Sequence, residues 1–247
     1  MYNKIINKAY DIVLGNPHCG NPFLYEQVLN NVKSNSVILD IGIGNGSYFN
    51  NENVVSIIKS KNLKIQGVDL NKEYIDMCNK RITEKGLENY VSCVYKNITT
   101  SKISIKYDYI FFIQSFPVIP NEIMKSILSV CNKILKKDGS IIFVHNLTNK
   151  KNTIKEYIKY FTTVDFGKST TISEFNDFIK ILNYKIVKAE CIYYNTLGGH
   201  IKLLANYYNA NSVINFIINK LYKYMTISCN QYMYQIKTRQ NYISHRN

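Results

Sequence analysis

Residues 36–47 read Ser-Val-Ile-Leu-Asp-Ile-Gly-Ile-Gly-Asn-Gly-Ser, an apolar run that closes on an acid and then gives way to three alternating glycines. Ser36 to Ile41 has the composition of a buried strand. Gly42, Gly44 and Gly46 let the chain turn tightly and bring backbone amides close to a ligand ahead of a following helix. Nucleotide-like ligands bind at such corners, and the spacing limits which. A dinucleotide loop needs Gly or Ala at position 47, which is Ser47 here, and no Gly-Lys-Ser/Thr follows to make a P-loop. Asp40, two residues before the first glycine, would repel a pyrophosphate. A ligand without phosphates but with an ammonium group suits it.

Outward from this corner, short apolar runs alternate with longer amphipathic ones, the pattern of a mostly parallel sheet with helices on both faces. Strands are expected at 36–41, 64–70, 91–95, 107–114 and 140–145. Asn71 to Lys85 reads as a helix with an Asn cap. Asn121 to Leu135 reads as another, ending at Gly139 in a left-handed C-cap. Tyr2–Val13 and Phe23–Val32 read as two N-terminal helices around a turn-rich linker, 15–22. After the fifth strand come a helix at 171–182 and strands at 184–194 and 231–237, with a helical region at about 200–226 between the last two. The expected fold is therefore α/β, a doubly wound, seven-stranded, mostly parallel sheet in one domain over 1–247. Within it, 1–33 is a helical cover, 34–146 the ligand-binding core, and 147–247 a C-terminal part with a helical insertion at about 198–228.

The formal charge is +14, yet only three of the 31 basic residues are Arg (81, 239, 246). Lys is the weaker choice for bidentate phosphate or base recognition, so nucleic acid is not the favoured partner. Six cysteines at 19, 78, 93, 131, 191 and 229 form no C-x-x-C pair, which suits reduced thiols in a cytoplasmic setting and suggests no metal site. The N-terminal segment lacks an apolar signal core. Lys220 and Lys223 interrupt the longest apolar stretch before it could span a bilayer.

With the acid, the glycines and the strand order in place, residues 36–146 resemble the class I S-adenosylmethionine-dependent methyltransferases of small-molecule type. The resemblance implies a Rossmann-like methyltransferase fold and S-adenosyl-L-methionine as cofactor. Asp40, Gly42, Gly44 and Gly46 match the motif after the first strand. Asp69, ending Gly67-Val68-Asp69-Leu70, matches the acid that accepts from both ribose hydroxyls, and Leu70 would flank the adenine. Asn97, in Tyr95-Lys96-Asn97-Ile98, stands where the family usually has an Asp contacting the adenine amino group. An amide oxygen can still accept there, and Ile98 completes that segment. Tyr107–Ser115 corresponds to the strand whose end lies beside the transferable methyl, placing Gln114 at the cofactor. Leu135–Ser140 resembles the turn before the fifth strand.

Methyl transfer is an in-line displacement, so alignment and a water-poor pocket matter most and no metal is required. His145 is the candidate general base and Ser115 a second candidate catalytic group, both at strand ends where ligands of open sheets sit. Gln114-Ser115-Phe116-Pro117 lacks the Asn/Asp-Pro-Pro-aromatic motif of enzymes that methylate amino groups of DNA and glutamine. Tyr10 and Tyr25 lie in the covering helices; His18 and His200 sit in glycine-containing stretches. The leading expectation is an S-adenosylmethionine-dependent methyltransferase with a small-molecule acceptor. RNA or protein acceptors, or a catalytically inactive partner subunit, are the alternatives. A monomer or homodimer is expected, and the 200–226 stripe leaves peripheral lipid contact open.

Overall fold

The computed structural model of the chain describes residues 22–115, 121–148, 170–193 and 231–238. Its sheet is built outward from β1 (Val37–Ile41). β2 (Lys64–Asp69) and β3 (Val91–Tyr95) add in parallel on one side. β4 (Tyr107–Ile113) and β5 (Leu135–Thr148) add in parallel on the other. A two-residue β6 (Thr170–Thr171) pairs with the end of β5. β7 (Tyr184–Tyr193) is the far edge, and β8 (Gln231–Thr238) inserts between β5 and β7, antiparallel to both. The order β3-β2-β1-β4-β5-β8-β7 is the expected seven strands, doubly wound.

Strand alternation sorts the core into two layers. Ile38, Phe111, Ile142 and Val144 face the layer of α1 (Pro22–Asn30), α2 (Glu52–Ser60) and α3 (Lys72–Glu84). Leu39, Ile110, Ile141 and Phe143 face the opposite layer, with Met124, Leu128 and Cys131 of α4 (Asn121–Ile134) and Phe175 and Ile179 of α5 (Ile172–Ile181). Local chemistry starts these helices where the sequence indicates. Asn71 accepts from the Tyr74 amide at 3.2 Å, and Thr171 forms a capping box with Glu174.

Two expectations are corrected. A four-residue 3-10 turn, Ser47–Asn50, stands between the glycines and α2, because the Asn51 side chain captures the amides of Asn53 and Val54 and so fixes the helix start at Glu52. Gly139 is not left-handed: β5 already begins at Leu135, opposite Tyr107, and the register shift between Tyr107 and Tyr109 takes up the intervening residues. Gly139 is needed for space, since a Cβ there would lie 2.8 Å from Leu135 Cγ and 3.0 Å from the Asp108 carbonyl. Most of the expected N-terminal cover and the helical insertion fall outside the described residues.

The end of α1 is held by a cation. Lys61 Nζ donates to the carbonyls of Leu29, Asn30 and Val32 at 2.9, 3.0 and 2.9 Å, satisfying groups that the finished helix leaves open. Lys61→Met keeps the stem and removes the donors. Urea unfolding of this variant should show a loss of roughly 1–2 kcal/mol with an unchanged m-value.

Candidate active site

The sheet changes direction between β1 and β4, the crevice at which open α/β sheets bind ligands. Gly42 leaves β1 there with φ +78°, followed by Gly44 at +62° and Gly46 at +66°. A Cβ on Gly42 would sit 2.6 Å from Ser115 Cβ, and one on Gly46 would sit 2.5 Å from Cys78 Sγ. A Cβ on Gly44 would meet nothing within 4 Å, so this glycine borders open space. The outer two glycines let the loop pass close to its neighbours, while Gly44 leaves the concave side free.

The loop is tied down on both flanks. The Gly42 and Ile43 amides donate to the Val68 carbonyl at 2.8 and 3.2 Å. The Gly44 amide donates to Asp69 Oδ2 at 2.9 Å, and the Asn71 amide donates to Oδ1 at 2.8 Å. Both oxygens of Asp69 are thus oriented by backbone and keep lone pairs for further donors. From α3, Arg81 Nη1 donates to the Asn45 carbonyl. Leu70, 65% exposed, and Tyr95, 61% exposed, stand at the ends of β2 and β3 beside this carboxylate.

Asp40 is buried on the inner side of the same loop. Tyr25 OH donates to its Oδ2 at 2.9 Å; Tyr48 OH lies 3.2 Å from that oxygen and 3.0 Å from the Ile43 carbonyl. Burial pushes the Asp40 carboxyl up to about 7, against the pull of the two hydroxyls. Burial also raises both phenols well above their usual value. Across the crevice, Gln114 takes a left-handed backbone, φ +58°, and its amide donates to the Val144 carbonyl at 2.8 Å. That turn carries Ser115 back over Gly42, where its Oγ is buried with no partner among the described residues.

The structure thus brings Asp40, Gly42, Gly44, Gly46, Asp69, Leu70, Gln114 and Ser115 to one end of the sheet. Other candidates fare differently. Asn97 Oδ1 accepts from Thr99 N and Thr99 Oγ1 at 3.0 and 2.8 Å, so it closes a local turn. Ile98 packs its side chain into the core at 4% exposure, leaving only backbone for a ligand. His145 is enclosed at 2% exposure, and burial pushes its imidazole down to about 4, so it stays neutral and is a weak proton acceptor. Sequence reading missed Tyr48, Arg81 and Gly67. Gly67 left a signal: a lone glycine inside a strand marks close approach, here of Ile43, whose Cδ1 would lie 2.1 Å from a Cβ.

The family model of a methyltransferase domain matches residues 38–139. That stretch of the chain is similar to methyltransferase domains. Solved structures agree in fold. A methyltransferase from Thiobacillus denitrificans, in complex with S-adenosyl-L-homocysteine, aligns with a TM-score of 0.57 at 14% identity, over 94% of this chain and 98% of that one. The [4+2]-cyclase SpnF aligns with a TM-score of 0.62 at 10% identity, over 94% and 95%. A geranyl diphosphate C-methyltransferase from Streptomyces coelicolor A3(2) aligns with a TM-score of 0.58 at 12% identity, over 87% and 77%. No curated protein matches the sequence.

The crowding at Gly42 is open to direct test. Gly42→Ala should lower the unfolding free energy by roughly 2–4 kcal/mol, from clash plus left-handed strain. Adding Ser115→Gly should relieve the clash and leave roughly 1–2 kcal/mol of strain. Asp40 gives a pH prediction: its carboxyl rises from 3.8 to about 7, so the folded state holds the proton more tightly than the unfolded chain. The stability it lends is complete below the lower value and is lost as pH rises through the upper one. Thermal melts of Asp40→Asn should lack that decline and show a higher midpoint than the parent at pH 8.

Proposed function

We propose that this chain transfers the methyl group of S-adenosylmethionine to a small-molecule acceptor. The observation that carries the reading is the braced Asp69 carboxylate beside a glycine loop open at Gly44, at the point where the sheet changes direction. A carboxylate with both oxygens oriented by amides is preset to accept from a vicinal diol. The exposed Leu70 beside it offers an apolar face to a purine ring. A loop without a basic residue, next to the acid Asp40, favours a ligand that carries a cation over one that carries phosphates. The buried Ser115 hydroxyl, without a partner among the described residues, offers a donor and an acceptor where the family's methyl-transfer strand ends. S-adenosylmethionine, when bound, supplies the sulfonium leaving group.

The protein's own part is then binding, orientation and exclusion of water. His145, neutral and enclosed, is a poor general base, which favours an acceptor that needs no strong base from the protein. The small-molecule assignment takes support from the geranyl diphosphate C-methyltransferase among the similar structures. The likeness to a [4+2]-cyclase favours a second reading, in which the domain binds the cofactor but performs other chemistry. No helix among the described residues is long and apolar enough to cross a membrane. Three buried free thiols, Cys78, Cys93 and Cys131, support assignment to a reducing, cytoplasm-like compartment.

Calorimetric titration should show binding of S-adenosylmethionine and S-adenosylhomocysteine, and Asp69→Ala should weaken both roughly 10- to 100-fold. Following labelled methyl groups from the cofactor through an extract should place the label in the small-molecule fraction. Binding without label transfer to any fraction would favour the second reading; no binding of either compound would overturn both.

A further inference from the structure

Asp40 lies on the central strand, opposite Gly67 of β2 and Phe111 of β4, and its hydrogen-bond partners among the described residues are two phenols. The phenol rings are fixed in place. Tyr25 and Tyr48 stack with centroids 3.8 Å apart and planes 9° apart, and Phe49 and Phe111 meet Tyr25 edge-on at 6.1 and 6.3 Å. Both hydroxyls converge on Oδ2, which leaves Oδ1 with no donor among the described residues. The titratable groups facing the cluster are Tyr25 from α1, Tyr48 from the 3-10 turn, Asp69 from β2, Cys93 from β3 and Cys78 from α3. None of these is a cation. A buried carboxylate with hydroxyl donors on one oxygen and no counter-charge among the described residues is an incomplete ion pair.

We propose that Tyr25 is a positioning residue for the methyl donor, holding the Asp40 carboxylate ionised and oriented as the counter-charge of the donor's ammonium group. The proposal rests on the functional reading above. It makes α1 part of the cofactor site through a carboxylate, not through direct cover. Its proton balance is simple: when cofactor binds to protein whose Asp40 is protonated, the carboxyl releases one proton to solvent, and no other bond changes. Tyr25 and Tyr48 set how readily that proton leaves, because each hydroxyl favours the charged form. The free protein therefore carries the switch, and its setting is readable without turnover.

Calorimetric titration of S-adenosylhomocysteine between pH 5.5 and 8.5 tests this in the parent protein, Tyr25→Phe and Tyr48→Phe. Affinity in the parent should rise with pH as Asp40 ionises. Tyr25→Phe keeps the stacked ring and loses the hydroxyl, so the midpoint should move up by roughly one pH unit, with affinity roughly tenfold weaker at pH 6 and convergence at the alkaline end. Tyr48→Phe should move the midpoint the same way, and it decides the matter if Tyr25→Phe does not fold. 5′-Methylthioadenosine, which lacks the amino-acid portion, should bind all three proteins without this pH dependence. An unshifted profile in folded variants would reduce Tyr25 to a packing residue and overturn the proposal while the donor assignment stands. Absence of binding to the parent would overturn the donor assignment, and the proposal with it.

Discussion

The close crossing of Gly42 beneath Ser115 is the constraint on which the rest of this site depends. β1 and β4 are parallel neighbours that must end together for the sheet to wind both ways from its centre. Their continuations then compete for the same space, and only a missing Cβ resolves it, since a methyl on Gly42 would lie 2.6 Å from Ser115 Cβ. The left-handed turn at Gln114 is the other half of the solution, a strained backbone tolerated because its amide still reaches the Val144 carbonyl. From that crossing the glycine loop is thrown outward, and Asp69 and Arg81 catch it.

Charge within the site is arranged as two carboxylates of contrasting exposure. Asp69 is half-buried and held by amides, which orient both oxygens without consuming their whole accepting capacity. Asp40 is dry and held by hydroxyls, which offset only part of its desolvation. One is suited to recognising neutral hydroxyl groups, the other to a positive charge that takes it out of isolation. Two acids in a crevice with no basic loop residue describe a ligand that is polar and cationic, unlike the phosphate ligands of most glycine-rich corners.

Likeness in fold spans different chemistries. A [4+2]-cyclase and a C-methyltransferase share this architecture with the chain at low identity. The glycine loop at the crevice is set by backbone, and backbone is what such folds preserve. Acceptor chemistry belongs to side chains contributed around the rim. The enclosed His145 fits that division, since a strand-end histidine inside the second core layer contributes to packing before it contributes to proton transfer.

The seven principal strands and the acid-glycine motif were legible in residue order, because a buried parallel strand is a continuous apolar run and a left-handed turn at such a corner favours Gly. Asp69 was legible only through the family resemblance, which places an acid at the end of the second strand. Asn97 stood in place of the family's usual Asp, and its oxygen is taken by Thr99, a contact two residues away that spacing alone does not reveal. Gly139 read as a helix cap and is a packing glycine, since which atoms crowd a glycine depends on a strand 30 residues earlier. Sequence by itself determined the order of the elements and the glycine corner after the first strand, both governed by local stereochemistry. Tertiary structure alone decided that Tyr25 and Tyr48 share Asp40, that Arg81 grips the loop and that His145 is shut away. Each of those depends on burial and on contacts between segments distant in the chain, and neither is written in the spacing of residues.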